Sequence, residues 1–246
     1  MTILAIDSST EILSVWLLNR SGGGQLGASR DCGLRHGRFL MSMVDSLLTR
    51  SGLKLAEIDL IACSAGPGSF TGLRIGMATA KGLAEAIAAH RSPDKPPLVV
   101  VPTLEAIAHG VGSEGYVLPV IDGKKGQYYA ALFDGTLRVT ADLDLPPEQL
   151  LPIVAQRTAG SQVVVTGPHA QRFLEAAEHS VPSDNGVANR SSLAPALQLD
   201  RNHRSAYARG VAELAEEVFR AGGYALRDRG PTYVRLSDAQ KSRRST

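Results

Sequence analysis

The chain has 246 residues, 43% of them hydrophobic and 20% charged, with a net charge of +2; that is long enough for one large domain or two small ones, each with its own core. Its two cysteines, Cys32 and Cys63, exclude a disulfide framework and form no Cys-x-x-Cys metal or redox motif, which fits a reducing cytoplasm. The first apolar run is stopped by Asp7 and no stretch approaches the roughly 20 apolar residues that span a bilayer, so neither export nor membrane attachment is expected and the localisation reads as cytoplasmic.

Residues 3–7 and 13–18 read as two strands joined by the polar turn Ser8-Ser9-Thr10-Glu11. A third strand is expected near 25–31 and a helix over 36–51, stopped by Gly52. Phe39, Leu40, Met43, Val44, Leu47 and Leu48 form an apolar stripe at helical spacing on it, the pattern of a helix packed on a sheet. Leu60-Ile61-Ala62-Cys63 reads as a buried strand. Gly66-Pro67-Gly68 follows as a tight turn, and Ser69 caps a helix reaching about Ala89.

Gly72, Gly76, Ala80, Ala84 and Ala88 recur every fourth residue of that helix, a side-chain-poor stripe on which another backbone can lie close. Each interior glycine costs roughly 1 kcal/mol relative to alanine, so close packing is expected to offset Gly72, Gly76 and Gly82. The plain reading buries this helix within its own domain. The functional one turns part of the surface toward a second protein, or uses the N–H groups of residues 68–71 to hold an anion. No Gly-Lys-Ser or Gly-Lys-Thr ending makes the turn a P-loop.

A strand over 98–101 precedes a short helix capped by Thr103, and a domain boundary falls here. Strands 117–122 and 127–133 then repeat the opening hairpin: Ile121-Asp122-Gly123-Lys124-Lys125 stands 115 residues after Ile6-Asp7-Ser8-Ser9-Thr10, which suggests two related domains with facing turns. A helix over 147–156, a strand over 162–166 and a helix over 169–177 complete a second mixed α/β unit. Residues 178–204 read as irregular, 205–221 as a long helix and 241–246 as a disordered basic tail. Residues 201–246 hold ten Lys or Arg against five Asp or Glu; a run of this size is more often a solvated face than a nucleic-acid surface.

Asp7 with Ser8, Ser9 and Thr10 stands where actin-like and sugar-kinase-like ATPases hold phosphate and Mg²⁺, with Asp122 at the matching position of the second hairpin. The glycine of the usual Asp-x-Gly is replaced by Ser9, so the clamp is degenerate. The histidines are His36, His90, His109, His169, His179 and His203, and no two share the i, i+4 spacing of a helical metal pair.

With these residues collected, the chain resembles the bacterial TsaB (YeaZ) family, the dimerization subunit of the tRNA threonylcarbamoyladenosine machinery. The resemblance rests on Leu4-Ala5-Ile6-Asp7-Ser8-Ser9-Thr10, on the run from Gly66 through Phe70 to Gly76, on Val101-Pro102-Thr103-Leu104-Glu105-Ala106 and on Pro231-Thr232-Tyr233-Val234-Arg235. It implies an α/β fold of two actin-like (ASKHA, ribonuclease H-like) domains, mixed sheets flanked by helices, over 1–102 and 103–204, with the 205–221 helix packing back on the first. It also implies a subunit without catalytic residues, metal or cofactor of its own, meeting nucleotide only within the complex. The implied partners are a catalytic TsaD-like subunit and a TsaE-like ATPase, a second copy when the chain is alone, and tRNA indirectly.

The family's catalytic subunit carries a His-x-x-x-His metal site that this sequence lacks. The implied partner surface comprises the helices at 36–51 and 69–89, with Phe39, Met43, Leu47, Gly72, Leu73, Arg74, Gly76, Met77 and Ala80 as contact residues. One departure is His36-Gly37-Arg38, where relatives commonly read His-Ser-Glu. Two rival readings are an active actin-like phosphotransferase using Asp7 and Asp122, and a metallopeptidase.

Overall fold

The computed structural model describes residues 1–33, 35–89, 98–112, 114–180, 195–202, 204, 207–223 and 230. The motif at 231–235, the expected 241–246 tail and residues 181–194 of the stretch read as irregular lie outside the described residues.

The first half runs β1 (Thr2–Asp7), β2 (Ile12–Asn19), β3 (Gly24–Asp31), α1 (His36–Ser51), a 3₁₀ turn (Leu55–Glu57), β4 (Leu60–Ser64), α2 (Phe70–Ala88), β5 (Leu98–Val101) and α3 (Thr103–Val111). The second runs β6 (Tyr116–Lys124), β7 (Gln127–Ala130), β8 (Phe133–Asp134), β9 (Leu137–Arg138), β10 (Leu143–Leu145), α4 (Pro147–Thr158), β11 (Gln162–Thr166), α5 (Ala170–Ser180), β12 (Ala196–Leu199) and α6 (Tyr207–Arg220). The strand orders are β3-β2-β1-β4-β5 and β10-β7-β6-β11-β12. In each sheet an antiparallel hairpin, β1/β2 or β6/β7, is extended on one side by two parallel strands. The two halves are therefore one mixed α/β unit written twice.

Period-two alternation fixes how the first sheet is covered. Leu4, Ile6, Ile61 and Cys63 face Leu40, Val44, Leu47, Met77, Ala80 and Ala84 of α1 and α2. Ile3, Ala5, Leu60, Ala62, Val99 and Val101 face Ala106 of α3 and Ala208, Val211, Ala212 and Ala215 of α6. α6, the last helix described, thus closes the first sheet although it follows the second. In the second sheet Leu118, Val120, Val163 and Val165 pack on Leu150, Val154 and Phe173, with Tyr128 edge-on to Phe173 at 5.2 Å. Ile12, Leu104, Ile107, Val117, Ile121, Phe133 and Tyr207 form a further cluster that joins the two halves.

Several local expectations are corrected. Thr103 is the first helical residue of α3 rather than its cap; Pro102 caps, and Thr103 Oγ1 instead accepts from Gly66 N at 3.0 Å. The strand expected through 127–133 breaks at Ala131 and Leu132, where the chain leaves β7 to pair again as β8. Within 178–204, α5 extends to Ser180 and β12 pairs in parallel with β11. The second hairpin turns at Lys125-Gly126, with β6 running on through Lys124. Positive φ of 57° at Lys125 and 76° at Gly126 matches the twist of the flanking strands.

Candidate functional site

The turn after β1 is built into the protein's own packing. Ser8, Ser9 and Thr10 are all buried. Ser8 Oγ donates to Gly72 O at 2.9 Å, and Ser69 N donates to Ser9 O at 2.6 Å. A Cβ added at Gly72 would overlap Ser8 O, one at Gly76 would overlap Ser8 Oγ, and one at Gly68 would overlap Ser9 O. The small-residue stripe of α2 therefore lies on the β1–β2 turn of the same chain. His36 Nε2, at the start of α1, donates to Thr10 O at 2.6 Å. Both α1 and α2 are thereby pinned to the one turn.

Asp7 sits beneath this turn, fully buried. Burial pushes its carboxyl above the ordinary range, against the opposing pull of Ser64 and of Ser9, whose N–H donates to Oδ1 at 3.3 Å. Its Oδ2 has no hydrogen-bond partner, and neither does the buried Ser9 Oγ. Both cysteines are free and buried, and burial lifts the Cys63 thiol to about 12. Among the described residues no three or more His, Cys, Asp or Glu side chains are grouped to hold a metal ion.

A cleft of about 300 Å³ separates the two halves, lined by Ser9, Thr10 and Glu11 on one side, Asp122, Gly123 and Lys124 on the other, and Gly68, Ser69 and Phe70 at the start of α2. Asp122 is placed across this cleft from the buried turn and does not meet Asp7. Its carboxylate accepts from Lys124 N at 2.7 Å and lies 3.2 Å from both Lys124 Nζ and Arg172. Burial works upward on it, but the Lys124 contacts hold its carboxyl below the ordinary value.

Sequence reasoning missed the bridge across this cleft. His169 accepts from Asp122 N on Nδ1 at 3.0 Å, which leaves Nε2 bearing hydrogen toward Glu11 at 3.3 Å. Arg204 lies 3.8 Å from Glu11, donates to Asp31 at 2.9 Å and donates to Pro168 O at 3.1 Å. Burial opposes the Glu11 charge, yet His169 and Arg204 together hold its carboxyl at about 2. A signal was present: Gly167-Pro168 follows β11 as Gly66-Pro67 follows β4, so the residue after each pair lines the cleft.

The expected partner-contact residues divide by exposure. Leu47, Gly72, Leu73, Gly76, Met77 and Ala80 are buried within this chain, because α1 and α2 use them on the sheet and on the first turn. Phe39 and Met43 are partly exposed and Arg74 is exposed, with its guanidinium 3.9 Å from the centre of the Phe70 ring. Arg30, Arg35 and Arg38 stand 4.0, 5.8 and 5.6 Å from the centre of the Phe39 ring. Exposed Met41 and Phe70 extend the same α1/α2 region.

A family profile described as "TsaD: tRNA N6-adenosine threonylcarbamoyltransferase" matches residues 30–186, well over half of the chain. The tRNA threonylcarbamoyladenosine biosynthesis protein TsaB of Escherichia coli (strain K12) is 38% identical over 135 residues, 53% of this chain and 54% of that protein. The chain spans about half the length, or less, of the curated TsaB relatives it matches. An uncharacterized protein of Mycobacterium tuberculosis is 31% identical over 76% of this chain and 82% of its own length. The structure of YeaZ from Pseudomonas aeruginosa superposes with a TM-score of 0.70 at 26% identity, over 94% of this chain and all of that one. With a family match over most of its length and the YeaZ architecture throughout, the chain belongs to the TsaB/YeaZ family of actin-like proteins.

Proposed function

We propose that this protein is an accessory subunit of tRNA threonylcarbamoyladenosine biosynthesis that supplies a binding surface and no catalytic group. The observation that carries the reading is the first turn. Where an actin-like enzyme would hold phosphate, Ser8, Ser9 and Thr10 are bonded to Gly72, Ser69 and His36 of the same chain, and Asp7 is sealed beneath them. The turn then serves as the post on which α1 and α2 are fixed, and the outer faces of those helices are the working surface. On this reading the surface pairs with a TsaD-like catalytic subunit and, in the complex, with a TsaE-like ATPase. A second copy takes the same face when the chain is alone, and tRNA is met only through the complex.

The isolated chain is proposed to carry no cofactor and to meet nucleotide only when a partner completes the cleft. The setting is the cytoplasm, where tRNA is modified; among the described residues no helix is long and apolar enough to cross a membrane. The test is complementation. Cells lacking this protein should lose threonylcarbamoyladenosine from their tRNA and regain it with the unaltered chain, whereas Arg74→Glu should restore little. Full restoration by Arg74→Glu contradicts the proposed surface.

A further inference from the structure

Around Phe39 of α1, three exposed arginines, Arg30, Arg35 and Arg38, have no carboxylate of a described residue within 4.0 Å. Arg20, Arg138, Arg172, Arg204, Arg209 and Arg220 each lie within 4.0 Å of a carboxylate, in contrast to these three. All three are exposed, and all three converge on the one ring of Phe39. The nearest acid in sequence, Asp31, is engaged by Arg204 at 2.9 Å. The cluster sits where β3 runs beside α1, with Arg30 of the strand over the Phe39 ring of the helix at 4.0 Å.

We infer that the Arg30–Arg35–Arg38 cluster makes this face selective for a protein partner with an acidic surface over a second copy of this chain. The inference rests on the proposed function and specifies the chemistry of that partner. Three observations choose the occupant. The cluster surrounds Phe39, and Met43, also partly exposed, follows one helical turn later in α1; Arg, Phe and Met are residue types enriched where proteins meet. The Phe39 ring is crowded by guanidinium groups, with Arg30 at 4.0 Å, so it offers no clear face on which a base could stack. A two-fold pairing through this face would present the same arginine cluster from both copies, and such like-charge juxtaposition is unfavourable.

The two associations therefore respond to salt in opposite directions, because screening relieves repulsion and weakens attraction alike. The experiment is sedimentation of the full chain, alone and with the TsaD-like protein of the same organism, between about 50 and about 500 mM NaCl. Self-association should strengthen as salt rises while pairing with the TsaD-like protein weakens. The double variant Arg35→Gln/Arg38→Gln should self-associate more tightly at low salt and lose about tenfold in affinity for that partner. Both positions are exposed, so its thermal unfolding should match the unaltered chain; should it fail to fold, the salt series on the unaltered chain decides alone.

Self-association that weakens with salt, or a chain monomeric at every salt concentration, overturns the inference. So does a complex whose affinity ignores both salt and the double variant, although the proposed function then stands. No complex with the TsaD-like protein at any salt removes both. Binding of labelled tRNA by the isolated chain, abolished in the double variant, makes the patch a nucleic-acid surface and also overturns the inference.

Discussion

Ser8 and Gly72 are 64 residues apart and interlocked: the serine hydroxyl donates to the glycine carbonyl at 2.9 Å, and the serine carbonyl occupies the space where a Cβ on Gly72 would stand. Gly72 is thus required by the turn above it rather than by its own helix. Gly72→Ala should destabilise the fold by about 1–3 kcal/mol despite alanine's better helix propensity, because the overlap is with backbone that cannot swing away. Gly82, exposed on the same helix with nothing within 4 Å of its Cβ position, provides the contrast. Gly82→Ala should stabilise by up to about 1 kcal/mol. Urea unfolding of both variants checks the pair.

Asp7 distinguishes a structural turn from a working phosphate clamp. Its carboxyl is raised by burial, so holding it ionised above the unfolded value of 3.8 costs folding free energy. Asp7→Asn keeps the shape without the charge and should leave stability at pH 7 equal or higher. It should also support tRNA modification within about twofold of the unaltered chain. A loss of about a hundredfold or more would instead assign Asp7 to catalysis.

The α3/α6 contact should make stability depend on pH. His109 Nε2 lies 3.1 Å from Glu217 and Nδ1 lies 3.6 Å from Glu213; the neighbouring Glu213 carboxylate is the largest influence raising the imidazole above 6.5. A group whose folded pKa is raised adds stability that is complete below the unfolded pKa and disappears as pH climbs through the folded one. The chain should therefore lose stability from about pH 6.5 upward, and His109→Gln should flatten that part of the profile. Denaturant unfolding at pH 6 and pH 8.5 reads both.

Glu11 works in the opposite sense at acid pH. Burial alone would raise its carboxyl, but the His169 hydrogen bond and the Arg204 charge bring it to about 2 from 4.5. Its contribution is present above about pH 4.5 and is lost as pH falls toward 2. Glu11→Gln should remove that part of the acid sensitivity and loosen the two halves. Unfolding at pH 5 and pH 3 tests the first effect; faster proteolysis between the halves tests the second.

What was legible in the chain follows from the range of the interactions involved. α1 was read at its observed bounds because its apolar stripe has helical period and Gly52 ends it with φ 71°. β12 escaped because Ala196–Leu199 is a four-residue edge strand, only half-buried and set in polar sequence, and it owes its conformation to pairing with β11. β9 and β10, two and three residues long, were silent for the same reason. At the site, the small-residue stripe announced a close approach without saying by whom; Ser8, 64 residues earlier, is visible only in the fold. The Arg30–Phe39 contact likewise needs β3 laid beside α1.

The central claim is that this protein acts through its partner surface, and the mass of the particles it forms tests that most directly. Size-exclusion chromatography with light scattering should be run on the chain alone and after mixing with the TsaD-like and TsaE-like proteins of the same organism. A mixed particle containing this chain and the TsaD-like subunit, lost on Arg74→Glu, is the predicted result. A chain that elutes unchanged beside both proteins contradicts the account.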